Sequence, residues 1–480
     1  MSKISLKSYY VYYDRYVSLL IFYLKKKAAA PAILSLLLLS VFIPSYRIAY
    51  VEDSDNLFSI TRKSDFEDYF IASQTLARGA DPYKMEDLEQ LKKQFVWEDL
   101  GSFKKIKDFM KRVKRAGTYL YPPLTAFLLL PVSGMSYQQA TVVFQSVSIL
   151  MFLLFLLILY RHTGRSGFAP EFFIPAVLTT LLLYNFLAGN FLHGNVLSFL
   201  LILVGGGLFL SFREEKVLSA AGGFLIGIAV VIKVTPVFFG LVLLGRKRFF
   251  SIAGMGAGVL AGFLLPSVYT GFDENLVLLN NWYNLIIGSY SKIGFVRPWA
   301  NNQSIAAMIG KLFVFGSDAK QVLYGLPLFS GGFDVTGERT SFLISVTRTI
   351  NLILFAAAIA VSILSLVRNF RKKIHLDEGA VHLMFLAALA SLLTAGVSWY
   401  HAYGILFLPI FLRLKMHFNN LPLRKGEKIS YFLVSIFGLF SLLFGKYFNE
   451  ALALYSIFTF ICAGIFVYTA GLFLREKNGF

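Results

Sequence analysis

Residues 119–135 read YLYPPLTAFLLLPVSGM. The run is apolar, yet it holds Pro122, Pro123 and Pro131, and its apolar core is short against the about 20 residues of a bilayer crossing. Its reading decides the topology. If it crossed, Arg161/Arg165 and nearly every later basic cluster would face the outside. If it dips in or lies along the surface, those clusters fall inside: Arg161/Arg165, Arg213/Lys216, Arg246–Arg248, Arg368–Lys373, Arg424–Lys428 and Arg475/Lys477. Positive charge belongs on the cytoplasmic side of short loops, so the segment is read as re-entrant or interfacial.

The rest of the chain is a membrane protein by composition. Of its 480 residues 56% are hydrophobic, 49 are Phe, and the mean hydropathy is +0.64. Apolar runs fall at 29–49, 138–160, 170–188, 191–212, 217–234, 235–245, 249–270, 341–367, 380–398, 401–415, 429–446 and 451–474. They predict an all-α, polytopic protein of about twelve spans with both termini cytoplasmic. The pair meeting at Lys233–Pro236 is short; one kinked span is the alternative to a hairpin. Residues 1–28 form a cytoplasmic segment ending in Lys25-Lys26-Lys27, and residues 416–480 hold the C-terminal spans. The 46 Lys+Arg exceed the 27 Asp+Glu by the formal net charge of +19. Most of that surplus sits at span ends, where membrane topology and anionic lipid explain it and nucleic acid is not needed. The lone cysteine, Cys462, excludes an internal disulfide.

Two large loops face outward on this reading, 50–137 and 271–340. In the first, Ser64 and Glu67 have capping-box spacing, so a helix is expected from Asp65, with Phe66, Tyr69, Phe70, Ser73, Leu76 and Ala77 as one face and a stop at Gly79-Ala80-Asp81-Pro82. Asp65 then lies in the first turn, where the helix dipole favours an ionised carboxylate, with Asp68 and Tyr69 beside it. Such a carboxylate serves as a base, binds a cation, or only caps its own helix. Further on, Phe103, Ile106, Met110 and Val113 line one face of a basic amphipathic helix expected on the lipid surface.

The same topology gathers the unusual polar groups on the outer side: Asp65 and Asp68, Gly189-Asn190, His193-Gly194-Asn195, Lys233, Arg297, Asn301 to Ser304, and Ser398 to His401. Each has a simpler alternative. Asn and His cap span ends, Lys233 snorkels to headgroups, and Trp399, Tyr400 and Tyr403 make an aromatic belt. Asn302-Gln303-Ser304 also fits a glycosylation sequon. Their convergence on one face points instead to a polar site at the membrane surface. There is no P-loop, dinucleotide fingerprint or zinc-protease motif, and the six His lack ligand spacing. No metal or cofactor is expected, Asp65 with Asp68 being the one pair suited to a cation.

At these residues the chain resembles the polyprenol-phosphate-sugar-dependent glycosyltransferases of the GT-C superfamily, most closely glycosyltransferase family 87. The resemblance rests on Asp65-Phe66, Tyr69, Ala72, Gly79 and Pro82-Tyr83, then Tyr121-Pro122-Pro123 with Pro131. It continues through Gly194-Asn195, Lys233 with Pro236, Asn302-Gln303-Ser304, and Trp399, His401 and Pro409. YPPLTA is also similar to the dolichol-linked glucosyltransferases. The likeness runs from about residue 60 to 415 and makes 29–415 a GT-C-like core. Where the family often has a second His or a Tyr directly after His401, this chain has Ala402.

The resemblance implies a polyprenyl-phosphate-linked sugar as donor, with mannose as the family's sugar, and a lipid or glycan acceptor. Transfer would occur by inversion at the extracytoplasmic face of a multi-pass membrane protein, expected in a bacterial inner membrane. Asp65 is the expected general base. Lys233, Arg297 and His401 are the candidates for the leaving phosphate, and Asp68, Tyr83, Tyr121, Asn195, Asn302, Gln303 and Trp399 for substrate binding. Partners are donor, acceptor and membrane lipid, with no nucleic acid. A transporter or flippase of a lipid-linked glycan is the competing class. It should show internal repeats and mid-membrane charges, and the sequence shows no repeat. A ligase or polymerase of lipid-carried glycans would share the topology.

Overall fold

The computed structural model describes residues 29–50, 64–83, 119–163, 170–284, 302–310, 338–368, 376–419, 421–438 and 456–475. Arg297, Asn301 and the expected surface helix within 84–115 lie outside them. The described residues are helical; their one extended pairing is an isolated antiparallel bridge between Asn302 and Trp399. The helices in order are α1 (Ala29–Ser45), α2 (Asp65–Ala77), α3 (Pro123–Leu128), α4 (Tyr137–Thr163), α5 (Pro170–Leu182), α6 (Tyr184–His193), α7 (Leu197–Ser211) and α8 (Lys216–Ile232). There follow α9 (Gly240–Gly245), α10 (Phe249–Leu264), α11 (Ser267–Thr270), α12 (Phe272–Tyr283), α13 (Ile305–Ile309) and α14 (Glu338–Arg368). The last four are α15 (Glu378–Thr394), α16 (Phe407–Phe418), α17 (Lys425–Gly438) and α18 (Ile457–Arg475).

Five of the described helices are long and apolar enough to cross a membrane, and six if α5 and α6 count as one span bent by 71°. The segments 197–211, 216–232, 235–245 and 378–394 are apolar but shorter. The membrane class of the sequence reading therefore stands, while its division into about twelve spans meets several short or broken helices. The expected runs 170–188 and 191–212 divide elsewhere, at Leu183 and at Gly194. Gly194 adopts φ +61° and ends α6 as a left-handed cap. Hydropathy runs through both breaks because it averages over the longer apolar stretches on either side of them.

Residues 119–135 make no helix of spanning length. Pro122 and Pro123 open the six-residue α3, which rises only about 9 Å. A single 3-10 turn, Leu130–Val132, follows and the chain then enters α4.

Two packing features fix the bundle. α15 is buried at every residue from Gly379 to Leu393, so it is apolar all round because it has no solvent or lipid face. α8 and α10 meet through Gly223 and Gly227 on one helix and Gly254 and Gly258 on the other. A Cβ at any of the four would lie 1.8–2.3 Å from a backbone oxygen of the partner. Small residues four apart let membrane helices approach backbone to backbone.

Candidate active site

The chain's polar helix ends meet around Asp65. Ser64 is the N-cap of α2, and its Oγ accepts from the Glu67 N–H at 3.2 Å, as the capping box predicts. The Ser64 hydroxyl also bonds the Tyr137 hydroxyl at 2.8 Å, which ties the start of α2 to the start of α4. Phe66, Tyr69, Phe70, Ser73 and Leu76 are buried as one face, whereas Ala77 is exposed. Asp65, the first helical residue, stays partly open with its side chain 29% accessible. Its Oδ2 accepts from Asn195 Nδ2 at 2.7 Å and lies 3.4 Å from His401 Nε2. That imidazole nitrogen makes no hydrogen bond, so the second contact is one of proximity.

Asn195 reaches Asp65 because the chain turns tightly after α6. The Asn195 N–H bonds the Asn190 carbonyl at 3.0 Å, and Asn190 Oδ1 accepts from the Leu197 N–H at 3.2 Å. Gly194 stands against the first turn of α2, where a Cβ would come 2.8 Å from Phe66 Cβ. Gly194→Ala is expected to cost about 1–2 kcal/mol in backbone conformation alone. It should also push Asn195 from Asp65, so turnover falls further than thermal stability. Unchanged turnover in that variant would show that the close approach is not needed.

The tyrosines form a ladder beside the carboxylate. Tyr69 donates to the Tyr121 hydroxyl at 2.9 Å with rings edge-on at 4.8 Å, and Asn195 Nδ2 lies 3.4 Å from Tyr69 Oη. Tyr83 donates to the Tyr121 carbonyl at 2.6 Å. Burial pushes the phenols of Tyr69 and Tyr83 well above their ordinary value, and the neighbouring Tyr121 and Asp65, or Tyr119 and Asp81, push the same way. Burial, with the charge of Asp65, also raises Tyr121. All three phenols stay protonated, Tyr69 and Tyr83 as hydrogen-bond donors, so the ladder leaves base chemistry to the carboxylate.

Lys233 ends α8 and is half-buried. It lines a small cavity with Asn195, Thr235, Ser391 and Ala402, and the Asp65 carboxylate acts on it electrostatically. His401 is buried in the 3-10 turn Tyr400–Leu406, next to the half-buried Trp399. Asp68 sits in the first turn of α2, half-buried.

Asn302 and Gln303 are fully buried. Asn302 Oδ1 accepts from the Ser398 N–H at 2.9 Å, and the Gln303 N–H donates to the Ser398 carbonyl at 2.8 Å. The Gln303 carbonyl accepts from Tyr403 Oη at 2.7 Å, and Thr459 Oγ1 donates to Gln303 at 3.1 Å. The pair thus braces the segment that carries Trp399 and His401. With no exposed surface, Asn302 is closed to glycan attachment in this fold.

Sequence reasoning left Gln145 unremarked. Its Nε2 donates to the Phe191 carbonyl at 2.7 Å, bracing α6 just ahead of the Gly194 turn. A lone amide within the long apolar run of α4 was the available signal.

One His/carboxylate trio converges among the described residues, Glu378, His382 and Glu427, with ligand atoms within 4.8 Å of one another. It lies toward the opposite end of α15, Glu378 standing about 20 Å along that helix from Ser391 of the Lys233 cavity. Its carboxylates are already answered by cations. Arg413, fully buried, donates to Glu427 through Nε at 2.6 Å and Nη2 at 2.7 Å, and its Nη2 lies 3.3 Å from Glu378. The cluster is built as an ion-pair network.

No curated protein and no solved structure gives a significant match to the chain. The family model that does match spans Tyr121, Asn195, Lys233 and the Asn302–Gln303 brace, and the fold brings Asp65 and His401 to that stretch from either side of it. That model is glycosyltransferase family 87, matched over residues 119–396, and the chain belongs to this family of glycosyltransferases.

Proposed function

We propose that this glycosyltransferase takes its sugar, mannose as the family's ordinary choice, from a polyprenyl-phosphate-linked donor. It passes the sugar to a hydroxyl of a lipid or glycan acceptor at the extracytoplasmic face of the membrane, on this reading the inner membrane of a bacterium. The observation that carries this is the partly open Asp65 carboxylate, held by Asn195 beside His401 at a helix start with Lys233 in electrostatic range.

The chemistry is one displacement with inversion. The acceptor oxygen bonds the anomeric carbon as its proton passes to Asp65. The bond from that carbon to the phosphate oxygen breaks, and polyprenyl phosphate leaves with the electron pair. The transition state is oxocarbenium-like, and the leaving phosphate needs charge stabilisation more than a proton. Lys233 and His401 are the candidates for that work, with Arg297 a third from outside the described residues. Tyr121, Tyr83 and Trp399 offer ring surface for sugars, Asn195 orients the carboxylate, and Asp68 tunes it or meets a cation. Asn302 and Gln303 act through the segment that they brace.

Purified protein incubated with a panel of polyprenyl-phosphate sugars, scored for free polyprenyl phosphate, tests the reading. Release with a lipid-phosphate donor supports it, and turnover with nucleotide sugars alone overturns it. Lys233→Ala and His401→Ala are each expected to raise the donor KM about ten- to hundredfold, the worth of a hydrogen bond to a charged group. Circular dichroism of the purified variants should stay normal. Unchanged donor kinetics in both would return these residues to snorkelling and packing roles.

A further inference from the structure

The His193 imidazole takes no part in the mechanism above, yet it stands beside the site. We infer that His193 is a further ligand of the donor's phosphate group, facing it together with His401; the inference rests on the lipid-phosphate reading.

Three observations carry it. His193 is the last residue of α6, set by the rigid Gly194 turn that also places Asn195 on Asp65. Its ring centroid lies 5.7 Å from that of His401. It is half-buried, and among the described residues neither of its ring nitrogens has a hydrogen-bond partner, so a donor group faces open space.

The spacing selects the ligand. His193, His401 and Asp65 do not bring their ligand atoms to one point as the Glu378 trio does, so a single bare ion is not shared by all three. Two imidazoles this far apart suit a phosphate group, whose several oxygens span the gap and accept from both. The group also needs more than one cation. Phosphate charge grows as the sugar leaves, while the nearby Asp65 carboxylate opposes it, and Lys233 is the one lysine or arginine that the described residues bring to this cluster. An imidazole on the side of His401 supplies the missing donor.

The test measures binding of polyprenyl phosphate, polyprenol and inorganic phosphate to the purified full chain. It compares wild type with His193→Ala, His193→Gln, His401→Ala and the double variant His193→Ala/His401→Ala. The expected result is an about tenfold loss for both phosphate ligands in His193→Ala, the order of one charged hydrogen bond, with polyprenol unchanged and part of the loss recovered by His193→Gln. In the double variant the two losses multiply. Unchanged phosphate affinity in His193→Ala overturns the inference while leaving the lipid-phosphate reading in place. So does an equal loss for polyprenol, or a His193→Ala effect that vanishes in the His401→Ala background, which would mean action through His401 alone. Wild type that binds polyprenol as tightly as polyprenyl phosphate overturns the reading and the inference with it.

Discussion

Asp65→Asn is expected to lower turnover by about 10²–10⁴-fold, the usual worth of a positioned general base, and to leave the donor KM within a few-fold. Asparagine keeps the size of the side chain and an oxygen for Asn195 to bond, so what it removes is the capacity to accept a proton. The loss therefore falls on the transition state and not on donor binding. Disturbing the first turn of α2 would cost only about 1 kcal/mol, too little to mimic this effect. Asp68→Asn is the control. Asp68 shares the first turn of α2, but the Asn195 amide and His401 meet at Asp65, so turnover there should stay within about tenfold of wild type. The measurement is steady-state release of polyprenyl phosphate by equal amounts of folded protein. Near-normal turnover in Asp65→Asn would sink the mechanism.

Arg413→Met is expected to have the largest effect on stability. Arg413 is fully buried and donates to both oxygens of Glu427, to the carbonyls of Leu421 and Pro422 at 3.1 and 3.0 Å, and lies 3.3 Å from Glu378. Glu427 in turn accepts from His382 Nε2 at 3.1 Å and the Arg424 N–H at 2.7 Å. Removing one member leaves a buried charge without its partner, which costs about 3–5 kcal/mol, whereas removing both is often close to neutral. Glu427→Gln should cost nearly as much, and the pair Arg413→Met/Glu427→Gln should recover most of the loss. Reversible denaturation in mixed micelles reads the difference. A single-variant loss below about 1 kcal/mol would show that water already screens the pair. The folded fraction should keep its donor KM, because the network lies at the far end of α15 from Asp65.

Where an outcome depended on one or two turns of chain, the sequence alone was enough. Ser64 and Glu67 start a helix because a hydroxyl three residues ahead satisfies an N–H that the helix leaves open, and α2 begins at Asp65 as that rule requires. Pro122 and Pro123 keep α3 short for an equally local reason, a missing N–H and a fixed φ. Composition alone placed the chain in a membrane, since that inference sums over residues without needing their arrangement. Only the tertiary structure decided which ends meet. Asp65 and Asn195 are 130 residues apart, and no local signal relates them. Their contact follows from Gly194 packing against Phe66, a matter of one absent Cβ. The breaks at Leu183 and Gly194 were hidden because hydropathy averages over apolar residues on both sides of a bend. Asn302 and Gln303 looked like ligands for a substrate, yet they hold the segment of Trp399 and His401. A buried amide bonds whatever backbone lies opposite, and packing alone chooses that backbone.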